Sequence, residues 1–439
     1  MKNIALISLG CAKNLVDSEV MLGYLEQSGY TLVTDIEKSD VLIVNTCGFI
    51  KPARDEAKDT LSNALKMKKE RKIERVIAVG CYVERNRHEL QKAFPEIDAW
   101  MGIRDFDKIV HVVERLPYAS ATQCYLYDHQ TPRIVSTPAA WAYVKISEGC
   151  SHRCSFCAIP LIKGPYRSRS VISVKKECMN LVARGFKEIN LISQDSTYYG
   201  RDLGLSNGLV ELLKELIDIQ RLEWIRVLYG YPEEISEPLL EIMQDDKICS
   251  YLDIPFQHAD RNIIKSMERG LDGTRALKLV DKIRKELPDV SLRTSLVVGF
   301  PGEGNKEFSR LRRFVEQAEF DHLGVFIYSP EEGTGSFSLG DPVPHRTKQK
   351  RLEEIFQIQA EISFEKNSKY LGRCIDVLIE GHLKDDPNIL LARGRFQAPE
   401  VDGVVMINAD NLAPDITNSI QKVEITSRDV YDLEGKLCQ

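Results

Sequence analysis

Between residues 141 and 329 the sequence alternates six short apolar runs with six helix-like stretches, and no other feature constrains the fold as much. The runs are 142–147, 188–193, 224–229, 251–255, 292–299 and 322–329. The helical stretches are 173–184, 209–219, 234–244, 261–268, 273–286 and 305–318. Strands joined through helices run parallel, because the helix carries the chain back to the starting edge. Six such units predict a partial TIM-type (β/α)6 barrel, with chemistry at the C-terminal ends of its strands.

Directly after the first run comes Glu148-Gly-Cys-Ser-His-Arg-Cys-Ser-Phe-Cys157. Cys150, Cys154 and Cys157 have the spacing C-x₃-C-x₂-C. Thiolates this close can share one soft metal centre, an iron–sulfur cluster or zinc. Three thiolates are one short of the usual four, which leaves a metal position open. Three Cys in eight residues, set among Ser, His and Arg, is not a core pattern. His152, next to Arg153, reads as solvated.

The N-terminal third repeats the logic. Apolar runs at 3–9, 40–46 and 75–80, with helical patterns at 17–28 and 52–71 between them, predict a parallel α/β sheet. Cys11, Cys47 and Cys81 each follow a run. In a parallel sheet every strand ends at the same edge, so the three thiols are brought together and form a second metal site. Residues 128–140, rich in Pro, Ser and Thr, read as a linker.

Composition excludes some classes. The chain has 439 residues, enough for more than one domain, and 28% of them are charged. A net charge of −6 argues against a protein that coats nucleic acid. No apolar run is long enough to span a membrane, and no secretory signal is present. Eleven cysteines without export signals point to metal ligation rather than disulfides, and to a reducing cytoplasm.

Polar residues at the other strand ends are candidates for cofactor contact: Gln194, Asp195, Gln257 and Arg293, with Gly299 allowing close backbone approach. The alternative for each is a turn or N-cap residue. The basic stretch from Lys163 to Arg169 reads as solvated surface, Arg167 included. Beyond a Gly/Pro-rich loop at 331–344 and a polar helix at 346–370, short runs at 375–379, 389–392, 404–407 and 420–426 predict a small β-barrel. Residues 371–439 hold seven Lys and Arg against twelve Asp and Glu, a balance that repels phosphate and suits a basic protein partner.

The C-x₃-C-x₂-C loop, with Phe156 before its last Cys, resembles the radical S-adenosylmethionine (radical SAM) enzymes. The stretches Ser8–Asn14, Asp17–Glu19, Asn45–Phe49 and Gly80–Tyr82 resemble the N-terminal domain of the methylthiotransferases. The C-terminal residues resemble a TRAM domain. This resemblance covers nearly the whole chain and implies a division into 1–127 (auxiliary cluster), linker 128–140, 141–345 (radical SAM), connecting helix 346–370 and 371–439 (TRAM). It implies two [4Fe–4S] clusters, on Cys11, Cys47 and Cys81 and on Cys150, Cys154 and Cys157, with SAM as the other cofactor and no catalytic residue beyond the ligands. SAM is then both methyl donor and radical source, and the first cluster handles sulfur. The stretches 251–258 and 395–403 look like the branch that modifies an aspartate β-carbon in small-subunit ribosomal protein S-twelve. The implied partners are that protein and a reducing donor such as a flavodoxin or ferredoxin, with no direct tRNA binding. A tRNA methylthiotransferase acting on a modified adenosine shares both cysteine sets. A non-catalytic iron–sulfur carrier is the rival of another class, although carriers normally give each cluster four protein ligands.

Overall fold

The computed structural model describes residues 2–408 and 416–438, so Asp410 and Asp415 of the acidic count lie outside it. The chain forms two compact units. One comprises Met1–Ser136, Lys145–Arg169 and Glu331–Thr334; the other comprises Thr137–Val144, Ser170–Pro330 and Gly335–Gln439.

The first unit is built on a parallel sheet of β1 (Asn3–Ser8), β2 (Thr31–Leu32), β3 (Val41–Thr46), β4 (Arg75–Gly80) and β5 (Ala99–Met101), in the order β2-β1-β3-β4-β5. Every residue of β3 and β4 is buried, as continuous apolar runs require when both sheet faces are covered. One face packs Val41, Ile43, Ile77 and Val79 into a core with Met21 and Leu25; the other packs Leu42, Val44, Val76 and Ala78 with Leu61 and Leu65. The helices are α1 (Ala12–Gln27), α2 (Lys51–Lys69), α3 (Cys81–Ala93) and α4 (Ile109–Glu114). Helix α1 starts five residues before its predicted position. Its first turns bury Asn14, Asp17 and Ser18, and polar residues on an inward face hide a helix from apolar periodicity.

The predicted linker is tied down in the same unit. Glu19 accepts from Arg133 Nε at 2.8 Å and from the Ser136 backbone N–H at 2.6 Å. Gly23 lies so close to Pro132 that a Cβ would sit 2.4 Å from its carbonyl.

The cysteine loop also packs into this unit. It leaves β6 (Trp141–Lys145) and is closed by a two-stranded ribbon of β7 (Ser147–Glu148) and β8 (Arg167–Ser168), with helix α5 (Ile159–Lys163) between them. Ala158 and Ile162 join the core formed by β1, β3 and β4.

In the second unit β9 (Glu188–Ile192), β10 (Trp224–Val227), β11 (Tyr251–Asp253), β12 (Ser291–Val298) and β13 (His322–Ile327) continue from β6. They form two three-stranded sheets, β10-β9-β6 and β11-β12-β13. A parallel bridge between Ile225 and Ile248 links the two, as does Gly230 N–H donating to Asp253 O at 2.7 Å. All six predicted strands are present. The intervening helices are α6 (Val171–Ala183), α7 (Gly208–Ile217), α8 (Glu237–Ile242), α9 (Arg261–Ser266), α10 (Gly273–Glu286) and α11 (Asn305–Ala318). Helix α12 (His345–Asn367) leads to a closed barrel of β14 (Cys374–Leu383), β15 (Asp386–Gly394), β16 (Val405–Asn408), β17 (Ile420–Arg428) and β18 (Leu433–Leu437). The last strand, Leu-Glu-Gly-Lys-Leu, was too short and polar to predict.

A disulfide joins Cys374 to Cys438, which corrects the expectation that cysteines here serve metals alone. The cause is register. Cys374 opposes Glu424 on β17, and Val423 opposes Leu437 on β18, so the barrel's closure brings the two thiols together.

The end of β15 and the segment between β15 and β16 meet side chains from all six central strands. Tyr143 donates to Glu400 at 3.0 Å, Glu188 accepts from Arg393 at 2.6 Å, and Arg226 donates to Arg395 O at 2.7 Å. Tyr251 donates to Asp402 at 2.7 Å, Ser291 to Phe396 O at 3.0 Å, and His322 Nε2 lies 2.8 Å from Phe396 O. Arg293 pairs with Asp402 as well. Within this unit the small barrel is thus fastened to the central strands by charge-assisted contacts.

Candidate metal centres

Cys11, Cys47 and Cys81 converge as topology requires. Gly10 has φ +91°, and a Cβ on it would meet Cys47 Cβ at 2.7 Å and Sγ at 2.9 Å. Only glycine leaves room there for the Cys47 side chain at that backbone angle. A Cβ on Gly48 would meet Tyr82 Cα at 2.6 Å and Cys81 O at 3.0 Å, so the Cys47 turn lies on the start of α3. The thiols influence one another. Burial pushes Cys47 up to about 11, and Cys11 adds to the rise. Burial pushes Cys81 well up too, against the pull of the Lys163 ammonium and with Cys47 and Cys11 adding. A bound metal reverses this by taking the thiolate form.

Cys150, Cys154 and Cys157 sit half-buried on the closed loop. Cys150 N–H donates to Gly164 O, and Cys157 N–H to Cys154 O, each at 3.1 Å. Gly149, at φ +79°, lets the two ends of the loop meet; a Cβ there would lie 2.1 Å from Pro165 O. Among the described residues no trio of His, Cys, Asp or Glu closes to the spacing of a single metal ion. Cys11, Cys47 and Cys81 stand close enough for their charges to act on one another, and Cys150, Cys154 and Cys157 share one closed loop.

Between the triads lie groups that the sequence reading placed elsewhere. Lys163 and Arg169, expected on a solvated surface, are 5% and 3% exposed. Lys163 Nζ lies 3.3 Å from Asp17 Oδ2 and 3.2 Å from Glu148 Oε2. Lys145 Nζ bonds Asp17 Oδ1 and lies 2.8 Å from Glu148 Oε2. Arg169 covers the Tyr127 ring at 4.3 Å, and Tyr127 Oη accepts from Lys145 N–H at 3.1 Å. Arg167, also expected at the surface, stays half-exposed and donates to Gln123 Oε1 at 2.8 Å. Glu331 accepts from Arg85 at 2.7 Å, and Arg85 donates to Gly48 O at 3.0 Å, beside Cys47. Charge alone carries no signal of burial, so the sequence offered no warning of these partners.

The strand-end candidates divide. Gln194 is half-buried, just past β9. Asp195 caps the turn that follows, accepting from Thr197 N–H at 2.9 Å and Tyr198 N–H at 3.3 Å. Gln257 adopts φ +69° and bridges by backbone to β12, its N–H donating to Ser295 O at 2.9 Å. Two expectations are corrected. Arg293 is held by Asp402, since its place on β12 faces the small barrel's loop. The space beside Gly299, at φ +77°, is taken by Lys348, whose Cγ lies 2.4 Å from a Cβ built there.

A three-part chain with a cysteine loop after its first central strand is a radical SAM protein with a TRAM domain, and family comparisons agree. Residues 3–102 match Uncharacterized protein family UPF0004, 144–315 the Radical SAM superfamily and 371–438 the TRAM domain. Over 444 residues the chain is 43% identical to "Ribosomal protein uS12 methylthiotransferase RimO" of Geotalea uraniireducens, covering 99% of this chain and 98% of that one. It is 43% identical over 434 residues to the protein of the same name from Aquifex aeolicus, covering 99% and 96%. The chain belongs to the RimO methylthiotransferase family and is a radical SAM enzyme. Among solved structures, the radical S-adenosylmethionine methyltransferase TsrM of Kitasatospora setae, described with cobalamin and a [4Fe-4S] cluster bound, shares the fold. Its TM-score is 0.56 at 14% identity, over 76% of this chain and 77% of that one.

Proposed function

We propose that this enzyme methylthiolates the β-carbon of an aspartate in ribosomal protein uS12, in the cytoplasm. The observation that carries the reading is the presence of two separate thiol triads in one compact unit. Cys150, Cys154 and Cys157 would hold a cluster that supplies the electron for reductive cleavage of SAM, and Cys11, Cys47 and Cys81 would hold one that supplies sulfur. The chain's part is to hold each triad open. Gly10 makes room for the Cys47 side chain, and Gly149 closes the loop around Cys150. With three thiolates apiece, each site leaves one position for an exogenous ligand. Two sites serve two needs, since an unactivated C–H bond yields to a radical, while methyl transfer from SAM does not need one. Gln194, Asp195 and Gln257, at strand ends, are the side chains we assign to SAM contact. Domain limits of 1–127, 141–345 and 371–439 go with this reading, as does a flavodoxin or ferredoxin as reductant.

Basic uS12 rather than tRNA is favoured by charge. Arg393, Arg395, Glu380, Glu400 and Asp402 are engaged within the second unit. That leaves five basic against nine acidic residues in 371–439. Among the described residues no helix is long and apolar enough to cross a membrane. Mass analysis of uS12 and of bulk tRNA from a deletion strain tests the assignment. A missing methylthio group on uS12 supports it; a methylthio-adenosine missing from tRNA instead overturns it. The Cys11→Ala, Cys47→Ala, Cys81→Ala triple variant should keep about half the iron of two cubanes. It should still cleave SAM reductively and give no methylthiolated product.

A further inference from the structure

Asp17, Lys145, Glu148 and Lys163 form a closed ring of alternating charge. Each ammonium touches both carboxylates, and all four side chains are at most 4% exposed. The ring is neutral, so its burial leaves no net charge unpaired. Even so, burying four ions is costly, and well-packed apolar residues commonly serve stability as well or better. Its placement gives it another purpose. Asp17 lies on α1, six residues after Cys11; Glu148 lies two residues before Cys150; Lys163 lies six residues after Cys157. Lys145 ends β6, the strand from which the loop departs. The ring therefore joins both ends of one cysteine loop to the helix that begins at the other triad. Ile162, the neighbour of Lys163, packs into the core that Cys81 borders, so α5 brings Lys163 to the start of α3 and the N-terminal triad.

We propose that the Asp17–Lys145–Glu148–Lys163 ring is a positioning device that holds the two thiol triads in register and sets the electrostatic environment of the Cys11–Cys47–Cys81 site through Lys163. The inference rests on the reading that both triads hold iron–sulfur clusters. These four are positioning residues, acting through the elements that carry the thiols. A cluster gains negative charge when reduced, so a nearby ammonium favours the reduced form and a nearby carboxylate opposes it.

The test uses full-length protein reconstituted anaerobically with iron and sulfide. Wild-type protein should hold about eight irons, two cubanes; a value near four would sink the two-cluster reading without bearing on the ring. The potential of the N-terminal cluster is then followed by spectroscopic redox titration in a Cys150→Ala, Cys154→Ala, Cys157→Ala background. Lys163→Met should shift the equilibrium about tenfold toward the oxidised cluster, roughly 59 mV for one electron. Asp17→Asn should shift it the opposite way. The charge-balanced Asp17→Asn/Lys163→Met variant should return near the wild-type value. Loss of packing alone cannot produce shifts of opposite sign. Shifts of the same sign, or unmoved potentials with iron retained, would overturn the proposal. Should a single variant lose its iron, the balanced double decides: loading at the wild-type potential supports the proposal, and failure to load overturns it.

Discussion

Tyr251 Oη donates to Asp402 Oδ2 at 2.7 Å, joining the start of a central strand to the segment between two strands of the small barrel. The same carboxylate accepts from the Ala398 N–H at 2.8 Å and pairs with Arg293, and it is fully buried. Tyr251, Ala398 and Asp402 belong to the stretches 251–258 and 395–403, whose resemblance selected the uS12-modifying branch. The branch signature is thus a seam inside the second unit, and its matched residues meet.

Removing the carboxylate leaves Arg293 without its closest anion in a buried setting. Asp402→Ala should cost about 3–5 kcal/mol, and Asp402→Asn somewhat less, because the amide keeps one acceptor. Urea denaturation reads the first effect. Hydrogen exchange across 395–403 reads the second, and unchanged protection there would show that the seam does not depend on Asp402.

The seam should also respond to acid. Burial acts to raise the Asp402 carboxyl, but His322 and Arg293 hold it below its ordinary value of 3.8. For Glu188 burial again opposes, and Arg393 with Arg226 hold the carboxyl low. A carboxyl lowered on folding contributes stability above its ordinary pKa and loses it as pH falls through the lowered value. The second unit should therefore keep full seam stability at neutral pH and lose it below about pH 4. Asp402→Asn should flatten that acid limb of the stability profile, measured by thermal melts from neutral pH downward.

The loop triad was legible from its local spacing, and the N-terminal triad because topology gathers it. Cys11, Cys47 and Cys81 follow β1, β3 and β4, and parallel strands end at one edge. The ring and the seam were hidden for a physical reason. Asp17 and Lys163 are 146 positions apart, and Arg293 finds Asp402 at a separation of 109. No local pattern marks a charge that will be buried by a distant partner. The same applies to Gly299, which was legible as a place of close approach while Lys348, the group filling the space, comes from a later helix.

The disulfide has a thermal consequence. Cys374 and Cys438 are 64 residues apart, so their bond restricts the unfolded barrel. Cys438→Ser should destabilise the C-terminal barrel by about 2–4 kcal/mol under oxidising conditions and by little in excess reductant. Peptide mapping without reduction should recover the two cysteines as one linked pair. Finding both thiols free in air-handled protein would remove the bond from the account.

Gly10 gives the sharpest local test of the N-terminal triad. Its φ of +91° is one that side chains rarely adopt, and an added Cβ would fall 2.9 Å from Cys47 Sγ. Gly10→Ala then has two costs: backbone strain of about 1–3 kcal/mol, and displacement of the Cys47 side chain. The fold should survive, since the sheet cores on both faces are made by other residues. Cluster assembly should not, because Cys47 would no longer point where Cys11 and Cys81 need it. Reconstituted Gly10→Ala protein should therefore carry about half the iron of wild type, the share of one cubane out of two. Its SAM cleavage should persist while methylthiolation is lost, the same pattern as removing the three thiols. Full iron content in a correctly folded Gly10→Ala protein would mean that the close fit of Cys47 against Gly10 does not govern cluster assembly.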